Sequence, residues 1–255
     1  MGKIIAIANQ KGGVGKTTTA INLGGALASF GKRVLCLDLD PQANLTVGLG
    51  IDLNSVERNI ANVLIDPDVS LESIVRPTKT RNVDVAPATL ELSAAEVELF
   101  NAIGREMALR DKLSPDLIGR YAYILIDCPP TLGLLTLNAL VASDGVIIPV
   151  QTQYYSLKGV AALLRIINTV KSRLNPHLKV LGLLPTFYDS RTILARDMLD
   201  SLKDLGDHQV FETVIRQSVK IGEAPTAGVP ITEYDKRSDA AKAFVDLARE
   251  VVRAH

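Results

Sequence analysis

Residues 10–17 read Gln-Lys-Gly-Gly-Val-Gly-Lys-Thr, a glycine-rich run with a lysine near each end and a hydroxyl after the second. Gly12, Gly13 and Gly15 let backbone N–H groups curl around an anion and approach it closely. Lys16 supplies a point charge for the β- and γ-phosphate oxygens of a nucleotide, and the Thr17 hydroxyl is placed to ligate Mg²⁺. The strict phosphate-loop pattern Gly-x-x-x-x-Gly-Lys-[Ser/Thr] requires a strand before it and a helix after it. Here Gln10 occupies the first glycine position, while Gly15-Lys16-Thr17 is intact. The expected nucleotide-binding set is Lys11, Gly12, Gly13, Val14, Gly15, Lys16, Thr17 and Thr18.

Two further runs end in acids. Ile124-Leu125-Ile126-Asp127 is an apolar strand closed by a carboxylate, the pattern that holds Mg²⁺ through water beside a phosphate loop. Asp38 and Asp40 lie two residues apart at the end of another apolar run, so they share a face. Asp38 either ligates or orients Mg²⁺ through water, or is structural. Catalysis on such a site rests on positioning and charge neutralisation at the γ-phosphate. His177, His208 and His255 are scattered in polar surroundings and read as surface residues.

These groups need a scaffold that ends several strands at one level. Ile4–Ala8, Val34–Leu39, Val83–Ala86, Tyr123–Ile126, Gly145–Val150, Val180–Leu184 and Val210–Ile215 read as strands. Helical spacing covers Thr17–Phe30, stopped by Gly31, and Ser93–Leu113, with a capping box at Ser93 and Glu96. It also covers Ser156–Leu174, Thr192–Leu205 and Asp239–Arg253, and Ile60–Val75 reads as two short helices. The alternation predicts an α/β fold with a mostly parallel twisted sheet and helices on both faces. Ligands in such sheets bind beyond the carboxyl ends of the strands, where every motif above falls. No linker interrupts the 255 residues, which read as one domain over 1–255.

Composition agrees with a large buried core: apolar residues make up 47% and charged residues 22%. The net charge is zero, which excludes a uniformly basic coat but allows a local basic face. Residues 151–220 carry ten Lys and Arg against six Asp and Glu. Cys36 and Cys128 sit in apolar runs and read as buried, reduced thiols. No stretch has the roughly 18 apolar residues of a membrane span, and the chain is expected in the cytoplasm.

Lys11-Gly12-Gly13-x-Gly15-Lys16-Thr17 resembles the deviant Walker A form of the P-loop NTPases. Further segments are similar to the ParA/Soj partition ATPases specifically. They are Asp38-x-Asp40-Pro41-Gln42, Asp127-Cys128-Pro129-Pro130, Thr136-Leu137-Asn138-Ala139-Leu140, Tyr188-Asp189-Ser190-Arg191-Thr192 and Glu223-Ala224-Pro225. The resemblance covers nearly the whole chain. It implies ATP and Mg²⁺ as ligands, with Lys11, Lys16 and Asp40 catalytic. Lys11 reaches across a dimer interface to the partner's nucleotide, and Asp40 positions or activates the attacking water. Thr17, Asp127 and Asp38 are the metal-site candidates. It also implies an ATP-sandwich homodimer, sequence-independent binding to double-stranded DNA, a ParB-like activator and association with the nucleoid. Arg191, Lys220 and Arg216 are the DNA candidates.

The sequence departs from the family where Ile215-Arg216-Gln217-Ser218-Val219-Lys220 replaces Ile-Pro-Arg-Asn-Val-Arg, and where Gln153 replaces a glutamate. With the phosphate loop beginning at residue 10, no operator-binding domain is expected ahead of it. The rival reading is a MinD-like membrane-associated ATPase, which needs a basic amphipathic C-terminal helix. Residues 239–253 instead align Phe244, Leu247, Ala248, Val251 and Val252 on one stripe with Asp239, Asp246 and Glu250 nearby, the pattern of a helix docked on a core, so no membrane contact is expected. An iron–sulfur reductase is disfavoured because Cys36 lies mid-strand.

Overall fold

The structure, a computed structural model, describes residues 2–152, 156–204 and 209–254. The expectations that touch Gln153, Leu205, His208 and His255 lie outside these residues. In chain order the strands are β1 (Lys3–Ile7), β2 (Val34–Asp38), β3 (Arg76–Pro77), β4 (Val83–Ala86), β5 (Tyr123–Asp127), β6 (Gly145–Gln151), β7 (Lys179–Tyr188) and β8 (Ile215–Arg216). They form one sheet in the order β3-β4-β2-β5-β1-β6-β7-β8, parallel except for the β3–β4 pair. The expected α/β architecture is therefore present.

Between the strands lie α1 (Lys16–Ser29), α2 (Asn44–Gly48), α3 (Ile60–Ile65), α4 (Glu91–Leu99), α5 (Ala108–Lys112) and α6 (Pro115–Arg120). They are followed by α7 (Leu134–Ala142), α8 (Ser156–Arg173), α9 (Ile193–Lys203), α10 (Val219–Ala227), α11 (Ile231–Tyr234) and α12 (Asp239–Arg253). Period-two alternation assigns the strand residues to two cores. Ile4, Ala6, Leu35, Leu37, Ile124 and Ile126 pack under the α3–α8 layer. Ile5, Ile7, Val34, Cys36, Tyr123 and Leu125 pack under α1 and α12. Cys36 and Cys128 are buried on opposite faces and unbonded, so they cannot share a metal cluster.

Three expectations are corrected. The helix expected over Ser93–Leu113 is broken, because Gly104 turns the chain at φ +73° and a short 3₁₀ turn at Arg105–Met107 precedes α5. Ser93 lies inside α4 rather than capping it, and Glu96 instead accepts from the backbone N–H of Leu135 at 3.4 Å. The strand expected over Val210–Ile215 is reduced to a single bridge at Val210 and the two-residue β8. Helices α2, α6, α10 and α11 were not expected. The Ser114 cap and Pro115 at its first position were a legible signal for α6. Helix α10 hides behind Gly222 and Pro225, which lower its propensity.

Helix α1 is the hub. Asn22 on it is buried and accepts from the Ile231 N–H at 2.7 Å, tying it to α11. Helix α12 buries Ala241, Phe244, Leu247, Ala248 and Val251 on the same core. The apolar stripe of α12 is thus consumed inside the protein. Phe244 is fully buried, so Phe244→Ala should lower the unfolding free energy by about 3–5 kcal/mol, read by urea titration. A helix held off the core, as a membrane anchor would be, gives no such loss.

Candidate nucleotide-binding and hydrolysis site

The site is assembled by register. Ile7 on β1 and Asp38 on β2 both pair with Asp127 on β5, so three neighbouring strands end at one level. Beyond β1, the Asn9 amide donates to the Pro149 carbonyl at 2.7 Å and its oxygen accepts from the Lys11 N–H at 3.0 Å. The loop then turns through Gly13 at φ +70° and Gly15 at φ +90°, a region that favours glycine. Thr186 on β7 donates its hydroxyl to the Val14 carbonyl at 2.8 Å and pins the loop from the other side.

Helix α1 follows with no side-chain cap and no acid in its first turn. Its first N–H groups and dipole are left for an anion. Lys16 is buried and folds back so that Nζ donates to the Lys11 carbonyl at 3.3 Å. Burial lowers its pKa, while Asp127, Cys128 and Asp40 act against that shift.

The three aspartates differ sharply. Asp38 is fully buried and saturated: it accepts from the Thr46 N–H at 2.9 Å, the Thr46 hydroxyl at 2.7 Å and the Asp40 N–H at 3.1 Å. Burial pushes its pKa up to about 6, with those hydrogen bonds opposing. Asp127 is equally buried, yet neither of its oxygens receives a hydrogen bond of ordinary geometry. Burial, then the charge of Asp38, raises its pKa well above the carboxylate range; the Thr17 hydroxyl and Lys16 counter this. A buried, orphaned carboxylate beside a hydroxyl fits a cation. Among the described residues no cluster of three or more acids, histidines or cysteines forms a cage. That suits Mg²⁺, which takes one or two carboxylates and completes its shell with phosphate and water. Asp40 is nearly buried and accepts from the Gln42 N–H at 3.0 Å.

A cleft of about 500 Å³ opens here, lined by Gly12, Gly13, Gly15, Lys16, Thr17, Thr18 and Asp40. Phe187, Ile221 and Pro225 also line it. Phe187 holds φ +51°, an outlier for a bulky residue, and a side chain at Gly15 would sit 3.6 Å from its ring. Sequence reasoning missed Thr46, Thr186 and Phe187, none of which carries a local signal. Pro225 stood in a recognised segment without a role. A larger groove of about 780 Å³ lies between residues 212–218 and α12, with no glycine loop or orphaned carboxylate among its lining.

Lys11 donates to Gln151 of its own chain at 3.2 Å. Gly12 is exposed, and a Cβ there would meet only the Pro130 side chain at 3.9 Å. The DNA candidates have different local partners. Arg191 is exposed and bonded to both oxygens of Asp189, and Lys220 pairs with Asp235. Arg216 lines the larger groove with Lys242, Arg249 and Arg253, interleaved with Asp239, Asp246 and Glu250. His177 is exposed, as expected.

Strand, glycine loop, buried lysine and a carboxylate-ended neighbouring strand define a P-loop NTPase fold of the two-lysine, deviant Walker A type. The AAA domain family model (AAA_31) matches residues 2–180. The sporulation initiation inhibitor protein Soj of Bacillus subtilis is 49% identical over 98% of both chains. The chromosome partitioning protein ParA of Myxococcus xanthus is 46% identical over 99% of this chain and 89% of its own. A crystal structure of cobyrinic acid a,c-diamide synthase from Mycobacterium smegmatis with bound ADP and magnesium superposes with a TM-score of 0.87 at 38% identity, covering 99% of this chain and 95% of that one. The chain belongs to the Soj/ParA family of partition ATPases.

The contrast between the two buried aspartates predicts opposite effects on the ligand-free protein. Asp38→Ala strands two buried N–H donors and a hydroxyl, and should cost at least about 2 kcal/mol in a urea titration. Asp127→Asn removes a buried charge that receives no hydrogen bond of ordinary geometry, and should leave stability unchanged or raise it while Mg²⁺-dependent nucleotide binding is lost.

Proposed function

We propose that this chain is an Mg²⁺-dependent ATPase that dimerises around ATP, binds DNA without sequence preference and moves a cargo with a ParB-like activator. The observation that carries the ATPase reading is Asp127: a fully buried carboxylate that receives no hydrogen bond of ordinary geometry, at the strand ends beside the phosphate loop and the uncapped start of α1. Groups kept in so costly a state mark functional sites. The chromosome partitioning protein ParA quoted above is 46% identical and the diamide synthase 38%, which favours partition over amide synthesis. The docked stripe of α12 weighs against the membrane-associated alternative. Among the described residues no helix is long and apolar enough to cross a membrane. We place the protein in the cytoplasm, on the nucleoid, with residues 1–255 acting as one domain.

In this mechanism the loop N–H groups of Gly12–Thr18 and the start of α1 hold the phosphates. Lys16 leaves the Lys11 carbonyl for the β- and γ-oxygens, and desolvation strengthens its charge there. Mg²⁺, held by Thr17 and through water by Asp127, would neutralise charge on the phosphate oxygens. Asp40 orients the attacking water from the cleft wall. Asp38 is structural: with three hydrogen bonds accepted, it fixes Thr46 and the start of the loop that carries Asp40. Phe187, Ile221 and Pro225 form an apolar wall for the base. Lys11 exchanges Gln151 for the partner subunit's nucleotide when the dimer forms.

Slow ATP turnover stimulated by DNA and activator is expected. Asp40→Ala should bind ATP and accumulate as a dimer without hydrolysing it, whereas Lys16→Ala should lose nucleotide. Gly12→Val has room in the single subunit, so it should bind ATP normally yet stay monomeric by light scattering. A normal ATP dimer of this variant would refute the sandwich.

For DNA, ion pairing reduces the net positive charge that Arg191 and Lys220 offer, so binding should require the two-fold doubling of contacts in the ATP dimer. Salt titration of labelled duplex DNA with the Asp40→Ala protein should give steep, sequence-independent weakening. Arg191→Glu, Lys220→Glu or Arg216→Glu should abolish binding without affecting nucleotide. Arg216→Ala should lower the slope of log K against log salt by about two per dimer if both copies engage. Salt-insensitive binding, or full binding by all three charge reversals, would place the DNA face elsewhere or remove DNA as the track.

A further inference from the structure

The phosphate loop is tied to the sheet from two strands. Toward β6, the Asn9 amide donates to the Pro149 carbonyl at 2.7 Å and Lys11 donates to Gln151 at 3.2 Å. Toward β7, the Thr186 hydroxyl donates to the Val14 carbonyl at 2.8 Å. Gln151 and Thr186 are register partners, so one rung of the β6–β7 ladder serves both halves of the loop. Thr186 is 2% exposed, and its carbonyl accepts from the Thr152 N–H at 3.3 Å, so the sheet fixes where the hydroxyl sits.

What this bond does follows from peptide geometry. A trans peptide is planar and sends its C=O and N–H to opposite sides. The Val14 carbonyl and the Gly15 N–H belong to one such plane. With the carbonyl held on Thr186, the Gly15 N–H faces away from Thr186. Gly15 lines the nucleotide cleft, and backbone N–H groups of such a loop are what a phosphate binds.

The local backbone makes the hold necessary. Gly15 stands at φ +90°, and a glycine lets the neighbouring peptide plane rotate at little steric cost. A half-turn of the Val14–Gly15 plane would put a carbonyl oxygen where the N–H had been, and an oxygen there repels a phosphate. The Thr186 hydroxyl opposes that rotation directly. A Cβ on Gly15 would lie 3.6 Å from the Phe187 ring and 3.8 Å from the Thr186 methyl, so both residues also brace the glycine.

Strand β7 departs from regular pairing at this point. Thr186 pairs with Ile215 and Tyr188 with Arg216, which makes Phe187 an extra residue in β7. Phe187 takes φ +51°. Such interruptions re-aim side chains beside functional sites, and a positive φ on a bulky residue persists only where its surroundings impose it.

We propose that Thr186 is a positioning residue for the nucleotide: its hydroxyl locks the Val14–Gly15 peptide so that the Gly15 N–H, and not the Val14 carbonyl, meets the phosphates. The inference rests on the reading of the loop as the nucleotide site of an ATPase, and adds to that site a residue far outside the loop.

The test compares wild type, Thr186→Val and Thr186→Ser as full chains. Valine keeps the shape and removes the donor, whereas serine keeps the donor. Affinity for Mg²⁺-ADP is read by calorimetry and ATP turnover by phosphate release, with circular dichroism confirming that each variant is folded. Thr186→Val should bind ADP about tenfold more weakly, and Thr186→Ser close to wild type. KM for ATP should rise by about the same factor in Thr186→Val with kcat unchanged, the pattern of lost binding shared by ground and transition states. In isotope-labelled wild type the Gly15 amide resonance should shift on adding ADP. A Gly15 amide that saturating ADP leaves unmoved overturns the proposal even if Thr186→Val does not fold. Equal ADP affinity in wild type and Thr186→Val, with only thermal stability reduced, makes Thr186 a structural residue and overturns it. An equal loss in Thr186→Ser and Thr186→Val assigns the effect to packing, and a fall in kcat at unchanged KM assigns it to the reacting centre; either result also overturns it. If wild type binds ADP but turns over no ATP, the ATPase reading fails while the ADP affinities still decide the role of Thr186. A wild type that binds no ADP overturns both.

Discussion

The carboxylate of Asp127 is buried at the end of β5 with no hydrogen bond of ordinary geometry, and much of the site's geometry follows from keeping it so. A charge in that position is costly in the ligand-free state. It is held there because β1, β5 and β2 pair in register and stop together, leaving Ile7, Asp127 and Asp38 side by side. A slip of one residue in β5 would turn Asp127 to the other face of the sheet and send apolar side chains to the cleft. The apolar alternation of β5 into two separate cores opposes that slip, so sheet packing maintains the electrostatic arrangement.

The neighbouring acids have been given different surroundings. Thr46 and the Asp40 N–H saturate Asp38, so its charge can be carried without a cation and its position is fixed. Asp40 sits two residues beyond the strand, where the backbone is free to open into the cleft. Lys16 is desolvated like Asp127, and each shifts the other back toward its charged form. Phe187 adopts a positive φ next to Thr186, the residue that pins the phosphate loop.

The surface is organised by sign more than by net charge, which is zero for the whole chain. The groove beside α12 sets Arg216, Lys242, Arg249 and Arg253 among Glu212, Asp239, Asp246 and Glu250, so positive and negative groups balance there too. Screening confines the field of each such surface to its own neighbourhood.

Much of this was legible in the sequence. Lys11 to Thr18, Asp38-x-Asp40 and the apolar run into Asp127 are local patterns, and strand alternation made the α/β fold readable without coordinates. The short helices α2, α6, α10 and α11 and the break at Gly104 were not read, because glycine, proline and weak periodicity obscure elements held in place by tertiary contacts. The different states of Asp38 and Asp127 were beyond the sequence for a stronger reason. Both are aspartates at the ends of apolar strands, and local sequence treats them alike. Thr46, eight residues from Asp38, and Thr186, far along the chain, reach the site only when the sheet is assembled. Sequence by itself determined which residues could do the chemistry, because residue type and spacing set the donors, the charges and the shared strand face. Tertiary structure decided which carboxylate is saturated and which is left for a cation, because hydrogen-bond satisfaction depends on distant groups that the fold brings within about 3 Å.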